Sequence, residues 1–163
     1  MIGAFDVHYL KDGRASAAAV LFPDYASPEP AEVYTQMVSQ VEDYVPGAFY
    51  KRELPCILML IKNIREVLDE MLVDGYVMLG KRPGLGQYLY ESFAGKIPVI
   101  GVAKSRFEGA SAAEVYRGRS KNPLYVTSVG MELREASERI RSMQGPYRVP
   151  TLLKQVDLLA RGA

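Results

Sequence analysis

Hydrophobic and polar positions divide the chain into segments of two different periods. Ile2 to Tyr9 is rich in strand formers and Arg14 to Phe22 is a second apolar run, with Lys11, Asp12 and Gly13 between them, which predicts a β-hairpin. The proline-rich stretch Pro23 to Pro30 predicts a loop, and Val33, Met37 and Val41 among polar neighbours predict a third strand over Glu32 to Val41. From Leu54 to Met71 the apolar positions keep i, i+3, i+4 spacing with Lys62, Arg65, Glu66 and Asp69 on the other side, the pattern of an amphipathic helix. Leu72 to Leu79 and Ile97 to Ala103 are short apolar runs with little alternation, as strands buried on both faces require. Leu85 to Ala94 between them supplies the crossover helix of a βαβ unit. A strand over Leu124 to Val129, a helix over Glu132 to Met143, a Gly145-Pro146 break and a helix over Thr151 to Arg161 complete the chain. Antiparallel strands followed by alternating strands and helices describe an α/β fold with a mixed sheet flanked by helices.

Composition narrows the picture. The 163 residues, 48% apolar and 24% charged, suit one globular domain over 1–163, and no apolar run reaches the ~18 to 20 residues of a membrane span. The first residues lack the basic, apolar and small-residue regions of a signal peptide, so a cytoplasmic location is expected. Cys56 is the only cysteine and His8 the only histidine, which excludes an internal disulfide, a multi-thiolate zinc site and catalysis by paired histidines. A net charge of +1 requires any nucleic-acid surface to be local. The stretch Lys104 to Lys121 offers one, with five basic residues (Lys104, Arg106, Arg117, Arg119, Lys121) against Glu108 and Glu114. Lys51, Arg52, Lys81 and Arg82 are further candidates to border it.

Two acids stand where carboxylates are costly. Strand alternation puts Ile2, Ala4, Asp6 and His8 on one face, so Asp6 sits mid-strand among apolar neighbours. Asp74 ends a buried strand immediately before Gly75, where sheet residues reach open clefts. Taken singly, each reads first as an acid that caps a turn or pairs with an arginine; binding a metal is the other way to hold a carboxylate there.

Several motifs favour the second alternative. Tyr44-Val45-Pro46-Gly47 followed by Arg52-Glu53 resembles the YVPG…FRE signature of the endonuclease V family, the deoxyinosine 3′ endonucleases. Phe5-Asp6-Val7-His8-Tyr9 is similar to that family's D-V-A-Y strand, Leu72-Val73-Asp74-Gly75 to its L-V-D-G, and Gly84-Leu85 to its G-L-A helix start. Ile100-Gly101-Val102-Ala103-Lys104 resembles its I-G-V-A-K almost letter for letter. Leu124 to Gly130 and Tyr147-Arg148-Val149-Pro150 resemble its Y-V-S-V-G-H and Y-R-L-P. The matches run in order across nearly the whole chain.

The resemblance implies a ribonuclease H-like fold and hydrolysis, assisted by Mg²⁺ or Mn²⁺, of a phosphodiester 3′ to a deaminated purine in DNA or RNA. Carried over by residue, Asp6, Glu53 and Asp74 match the acidic metal-binding triad and Lys104 the active-site lysine. Tyr44, Val45, Pro46 and Gly47 match the wedge that replaces an extruded base, with Gly75 and Arg82 beside the substrate. Hard oxygen ligands suit Mg²⁺, and a base must leave the stack before it is read. The chain departs from the pattern where Met131 stands in place of a metal-binding histidine, with Glu132 or Glu135 the nearest substitutes, and where Gly80-Lys81-Arg82-Pro83 replaces H-P-R-R. Those departures define an alternative: a catalytically weakened homologue retained as a nucleic-acid-binding module.

Overall fold

A computed structural model describes residues 1–41, 43–46 and 48–162. Its first hairpin joins β1 (Ile2–Tyr9) to β2 (Ala15–Phe22) in antiparallel register, Asp6 opposite Ala18 and Tyr9 opposite Ala15. The turn closes because the Asp12 carboxylate accepts from the Arg14 amide (3.1 Å) and from its guanidinium (2.8 Å). β3 (Glu32–Val38) adds to β2 as an antiparallel edge strand. On its other side β1 pairs in parallel with β4 (Glu70–Asp74), and β4 in parallel with β7 (Val99–Ala103). β9 (Leu124–Val129) and the edge strand β8 (Ala113–Val115) then return antiparallel, giving a seven-stranded sheet of order β3-β2-β1-β4-β7-β9-β8. Two short strands, β5 (Met78–Leu79) and β6 (Arg82–Pro83), form a separate ribbon.

Alternation along these strands builds two cores. Helices α1 (Tyr50–Ile61) and α2 (Leu85–Ser92) cover one face, where Cys56, Ile57, Leu60, Leu85 and Leu89 pack on Phe5, Val7, Ala17, Ala19, Met71 and Val73. Helices α3 (Leu133–Ser142) and α4 (Thr151–Ala160) cover the other, where Ile140, Leu152, Val156 and Ala160 pack on Ile2, Ala4, Ala18, Val20, Leu72 and Ile100. β2 carries alanine toward both faces at Ala17, Ala18 and Ala19, each fully buried, so α1 and α4 both approach its backbone closely. None of the described helices is long and apolar enough to cross a membrane.

The structure redraws two of the expected elements. The helix expected over Leu54 to Met71 runs instead from Tyr50 to Ile61, and Glu70 and Met71 already belong to β4. Periodicity misleads here because Leu68 and Met71 are apolar for other reasons. Leu68 packs over Gly3, and Met71 fills the sheet core opposite that glycine's backbone, while Val67, at the same helical spacing, is 78% exposed. The expected strand over Leu72 to Leu79 breaks at Gly75, whose φ of +130° only glycine adopts readily. Beyond it the chain lies across β7, where a Cβ at Gly101 would stand 2.5 Å from the Gly75 carbonyl and 2.7 Å from Thr127 Oγ1. The amide of Val77 donates to that hydroxyl at 2.9 Å.

The crossing requires a bare backbone at residue 101. Gly101→Ala is expected to destabilise the fold by ~1 to 3 kcal/mol, the usual cost of overpacking a rigid core, and a shifted urea midpoint at unchanged slope would register it.

Candidate active site

The parallel register of β1 and β4 sets Phe5 beside Val73, so the next residues, Asp6 and Asp74, are neighbours at the ends of adjacent strands. Both share a face with Ala4 and Leu72, the face covered by α4. They line a cleft with Lys104, Val149, Leu153 and Val156. Lys104 follows β7 directly, and its ammonium stands 3.7 Å from Asp74 Oδ2.

One cation does not balance these acids. Burial, then the charge of Asp74, raises the Asp6 carboxyl from its ordinary 3.8 to about 7, although the Val7 amide donates to its Oδ1 at 2.9 Å and Lys104 opposes the rise. Burial also raises Asp74, and Asp157 adds to that rise while Lys104 resists it.

Glu53 comes from the opposite face, in the first turn of α1, with 1% of its surface exposed. Burial, followed by the charges of Asp6 and Asp74, pushes its carboxyl well above the usual range. Its Oε2 is buried with no hydrogen-bond partner, as are the Tyr9 hydroxyl and Arg52 Nε, and the Arg52 guanidinium lies 3.7 Å above the centre of the Tyr9 ring. Asp6, Glu53 and Asp74 thus feel one another's charge, yet among the described residues no three acidic, histidine or cysteine side chains stand close enough to hold a metal together. Asp6 and Asp74 are the pair that the fold brings side by side.

A fourth acid was not visible from the sequence. Asp157 on α4 follows Val156, which lines the cleft, and its charge reaches both Asp6 and Asp74. Burial pushes its carboxyl up, but Arg161 Nε at 2.9 Å and Lys154 Nζ at 3.4 Å outweigh that and hold it below its ordinary value. In the sequence those basic neighbours at i−3 and i+4 give Asp157 the look of a solvated helix face. Its place four residues after Leu153 and one after Val156 was the available signal.

The other candidates distribute unevenly. The last residue of β3, Val38, pairs with Ala15, which pairs with Tyr9, so the chain leaves β3 at the same end of the sheet as Asp6. There Tyr44, Val45 and Pro46 are exposed, Tyr44 to 56%, without lining the cleft; Gly47 lies outside the described residues. Gly75 makes the turn after Asp74. Arg82 is exposed on the β5–β6 ribbon and does not line the cleft.

Met131 requires a correction. It follows the end of β9 that pairs with the start of β7, Val129 opposite Val99, whereas Asp74 lies opposite Val102 near the other end. Half-buried against the α3/α4 core, it cannot stand in for a ligand of these acids. Glu135 is likewise remote: it pairs with Arg139, which also holds Glu70 at the start of β4. Arg117 leaves the expected basic surface as well. It is buried, and its guanidinium donates to the carbonyls of Met143, Gly145, Tyr147 and Arg148.

A mixed sheet in this strand order, with acids at the ends of the two central parallel strands and helices on both faces, is a ribonuclease H-like fold. The family model for endonuclease V matches residues 1–141. The chain belongs to the endonuclease V family, a family of nucleases. It is 30% identical over 175 residues to endonuclease V of Ignicoccus hospitalis, covering 98% of this chain and 81% of that protein. Endonuclease V from Streptomyces avermitilis superposes with a TM-score of 0.83 at 24% identity, over 99% of this chain and 79% of that one. Endonuclease V from Ciona intestinalis, in complex with a 24mer DNA containing an inosine followed by a ribo-adenosine, superposes with a TM-score of 0.79 at 20% identity, over 99% and 84%.

The raised Asp6 carboxyl sets a sign for pH dependence. Between 3.8 and about 7 the folded state binds a proton that the unfolded chain releases, so this group's contribution to stability falls as pH rises through that window. In EDTA at pH 8, Asp6→Asn is expected to melt higher than the wild type, with the gap narrowing as pH falls toward 4. Thermal melts across that range test it; an equal gap at both ends would mean that Asp6 is not held under this strain.

Proposed function

We propose that this protein is a divalent-metal-dependent endonuclease that hydrolyses a phosphodiester on the 3′ side of a deaminated purine, inosine foremost, in nucleic acid. Family membership and the inosine-containing DNA of the Ciona structure support the reaction class and the substrate. The observation that carries the reading is the Asp6–Asp74 pair, forced together by register, raised in pKa, and met by one lysine.

The residues fit a hard cation. Two adjacent carboxylates that repel one another, with the orphaned Glu53 Oε2 behind them, form an oxygen-rich, negatively charged site of the kind Mg²⁺ or Mn²⁺ takes with several waters retained. Asp6 and Asp74 would hold the ion, Glu53 and Asp157 would add to the field around it, and the bound metal would supply an activated water and charge for the leaving 3′ oxygen. With its carboxyl raised to about 7, Asp6 is only partly ionised at neutral pH, so a bound cation would compete with a proton for that oxygen. Lys104, half-exposed beside Asp74, is placed to donate to a non-bridging phosphate oxygen as charge builds there. Val149, Leu153 and Val156 form an apolar wall that strengthens these interactions by excluding water. Tyr44, with Val45 and Pro46 at the same end of the sheet, offers a ring to fill the gap left by an extruded base. A cytoplasmic setting, in keeping with the free thiol of Cys56, belongs to the same reading.

The alternative of a weakened, binding-only homologue rested on Met131 and on the Gly80-Lys81-Arg82-Pro83 departure. The far position of Met131 takes away the first of these supports, because a side chain at the other end of the sheet does not cost the acids a ligand, and the Gly80 departure is weighed by the cleavage assay below.

Incubation of a labelled inosine-containing strand with Mn²⁺ or Mg²⁺ tests the reading. Cleavage 3′ to the inosine is expected, and Asp74→Asn should lower kcat by about 1,000-fold, the equivalent of several kcal/mol of metal-derived stabilisation. An intact strand with wild-type protein and both metals would overturn it. Met131→His should leave metal affinity and cleavage unchanged. Tyr44→Ala should weaken binding to an inosine-containing duplex by ~1 to 3 kcal/mol while sparing metal affinity; equal loss on intact duplex would deny it a wedge role.

A further inference from the structure

Outside the cleft, the largest exposed aromatic surface among the described residues belongs to Tyr147, 75% exposed in the connection between α3 and α4. The ring stands on a ridge between two surface grooves. One runs along α4, lined by Arg148, Val149, Thr151, Lys154, Gln155 and Leu158. The other is lined by Arg119, Ser120, Pro146 and Arg148. Val149 lines both the first groove and the cleft that holds Asp6 and Asp74, and Tyr147 and Arg148 line both grooves, so cleft and grooves adjoin one another.

The grooves themselves are lined by cations. Arg119, Arg148 and Lys154 line them and no acid does, although Lys154 also meets Asp157 at 3.4 Å, in a molecule whose net charge is only +1. The scaffold beneath the ring is fixed. The buried Arg117 guanidinium donates to the Tyr147 carbonyl at 2.6 Å, and Arg148 donates to the Pro123 and Lys104 carbonyls. An exposed aromatic ring on a rigid backbone costs little entropy on binding, whereas left in water it contributes nothing to the core. Stacking needs a free base face, which a single strand presents and an intact duplex does not, and the flanking cations match a phosphate backbone.

From these features we infer that the Tyr147 ridge and its two grooves form a second binding site for a single-stranded stretch of nucleic acid leading away from the cleft. Tyr147 stacks on a base, and Arg119 with Lys154 follows the phosphates. The inference rests on the nuclease reading for its direction, but its own content, a single-strand platform outside the catalytic acids, can be measured separately.

Fluorescence anisotropy at fixed salt with an inosine-free single-stranded oligothymidylate of about 20 nucleotides, beside a blunt inosine-free duplex, provides the test. Tyr147→Ala is expected to weaken single-strand binding by about 5- to 150-fold, the range that loss of one stacked base implies, while Tyr147→Phe stays near wild type and duplex binding is unchanged. Arg119→Ala should weaken the single strand and reduce the salt dependence of its affinity. Unchanged single-strand affinity in Tyr147→Ala, equal loss on both probes, or no single-strand binding by the wild type would overturn the inference. Preferential binding of an apolar peptide at the ridge would overturn it too. Failure of inosine cleavage with Tyr147-dependent binding intact would count against the nuclease reading alone.

Discussion

The parallel pairing of β1 with β4 is the constraint on which the site depends. Register that sets Phe5 beside Val73 sets Asp6 beside Asp74, and no side-chain motion short of breaking the sheet separates them. Hydrophobic burial of Ala4, Leu72 and their neighbours holds that register, so the energy of the core keeps two acids side by side at the strand ends. The raised carboxyl of Asp6 is the local expression of that cost. Functional sites are where such local conflict is retained.

Three further elements meet the pair from different directions. β7 delivers Lys104, α1 delivers Glu53 from one face of the sheet, and α4 delivers Asp157 from the other. Two arginines keep the last of these in place. Arg117 gathers the carbonyls of the α3–α4 connection, and Arg148 ties the start of α4 to the backbone of Lys104 itself. The basic residues of the Lys104 to Lys121 stretch therefore divide by depth. Arg117 is spent on carbonyls inside the molecule, while Arg119 remains at the surface.

Much of this was legible in the chain. The hairpin, the β9 strand and the C-terminal helix follow from period and punctuation alone, and the fold class from their order. The motif residues Asp6, Asp74 and Lys104 lie on one cleft, as adjacent strands allow. What was not legible has physical causes. A helical period that ran on through Leu68 and Met71 came from two unrelated packing tasks, one over Gly3 and one inside β4. The three residues of β8 are too few for any alternation to show. Asp157 was masked by its own salt bridges, and Met131 drew attention by its place in a motif although the sheet runs away from the acids at that point.

The alanines of β2 have a consequence beyond close packing. Because Glu53 and Asp157 reach the acid pair from helices on opposite faces, the span between them is set by the thickness of the sandwich at its middle. Ala17 faces α1 and Ala18 faces α4, so these methyl groups act as the spacer of a calliper whose jaws are the two helices. Evolution could adjust the field at the Asp6–Asp74 pair by a methylene on β2, without changing any of the charged residues around it.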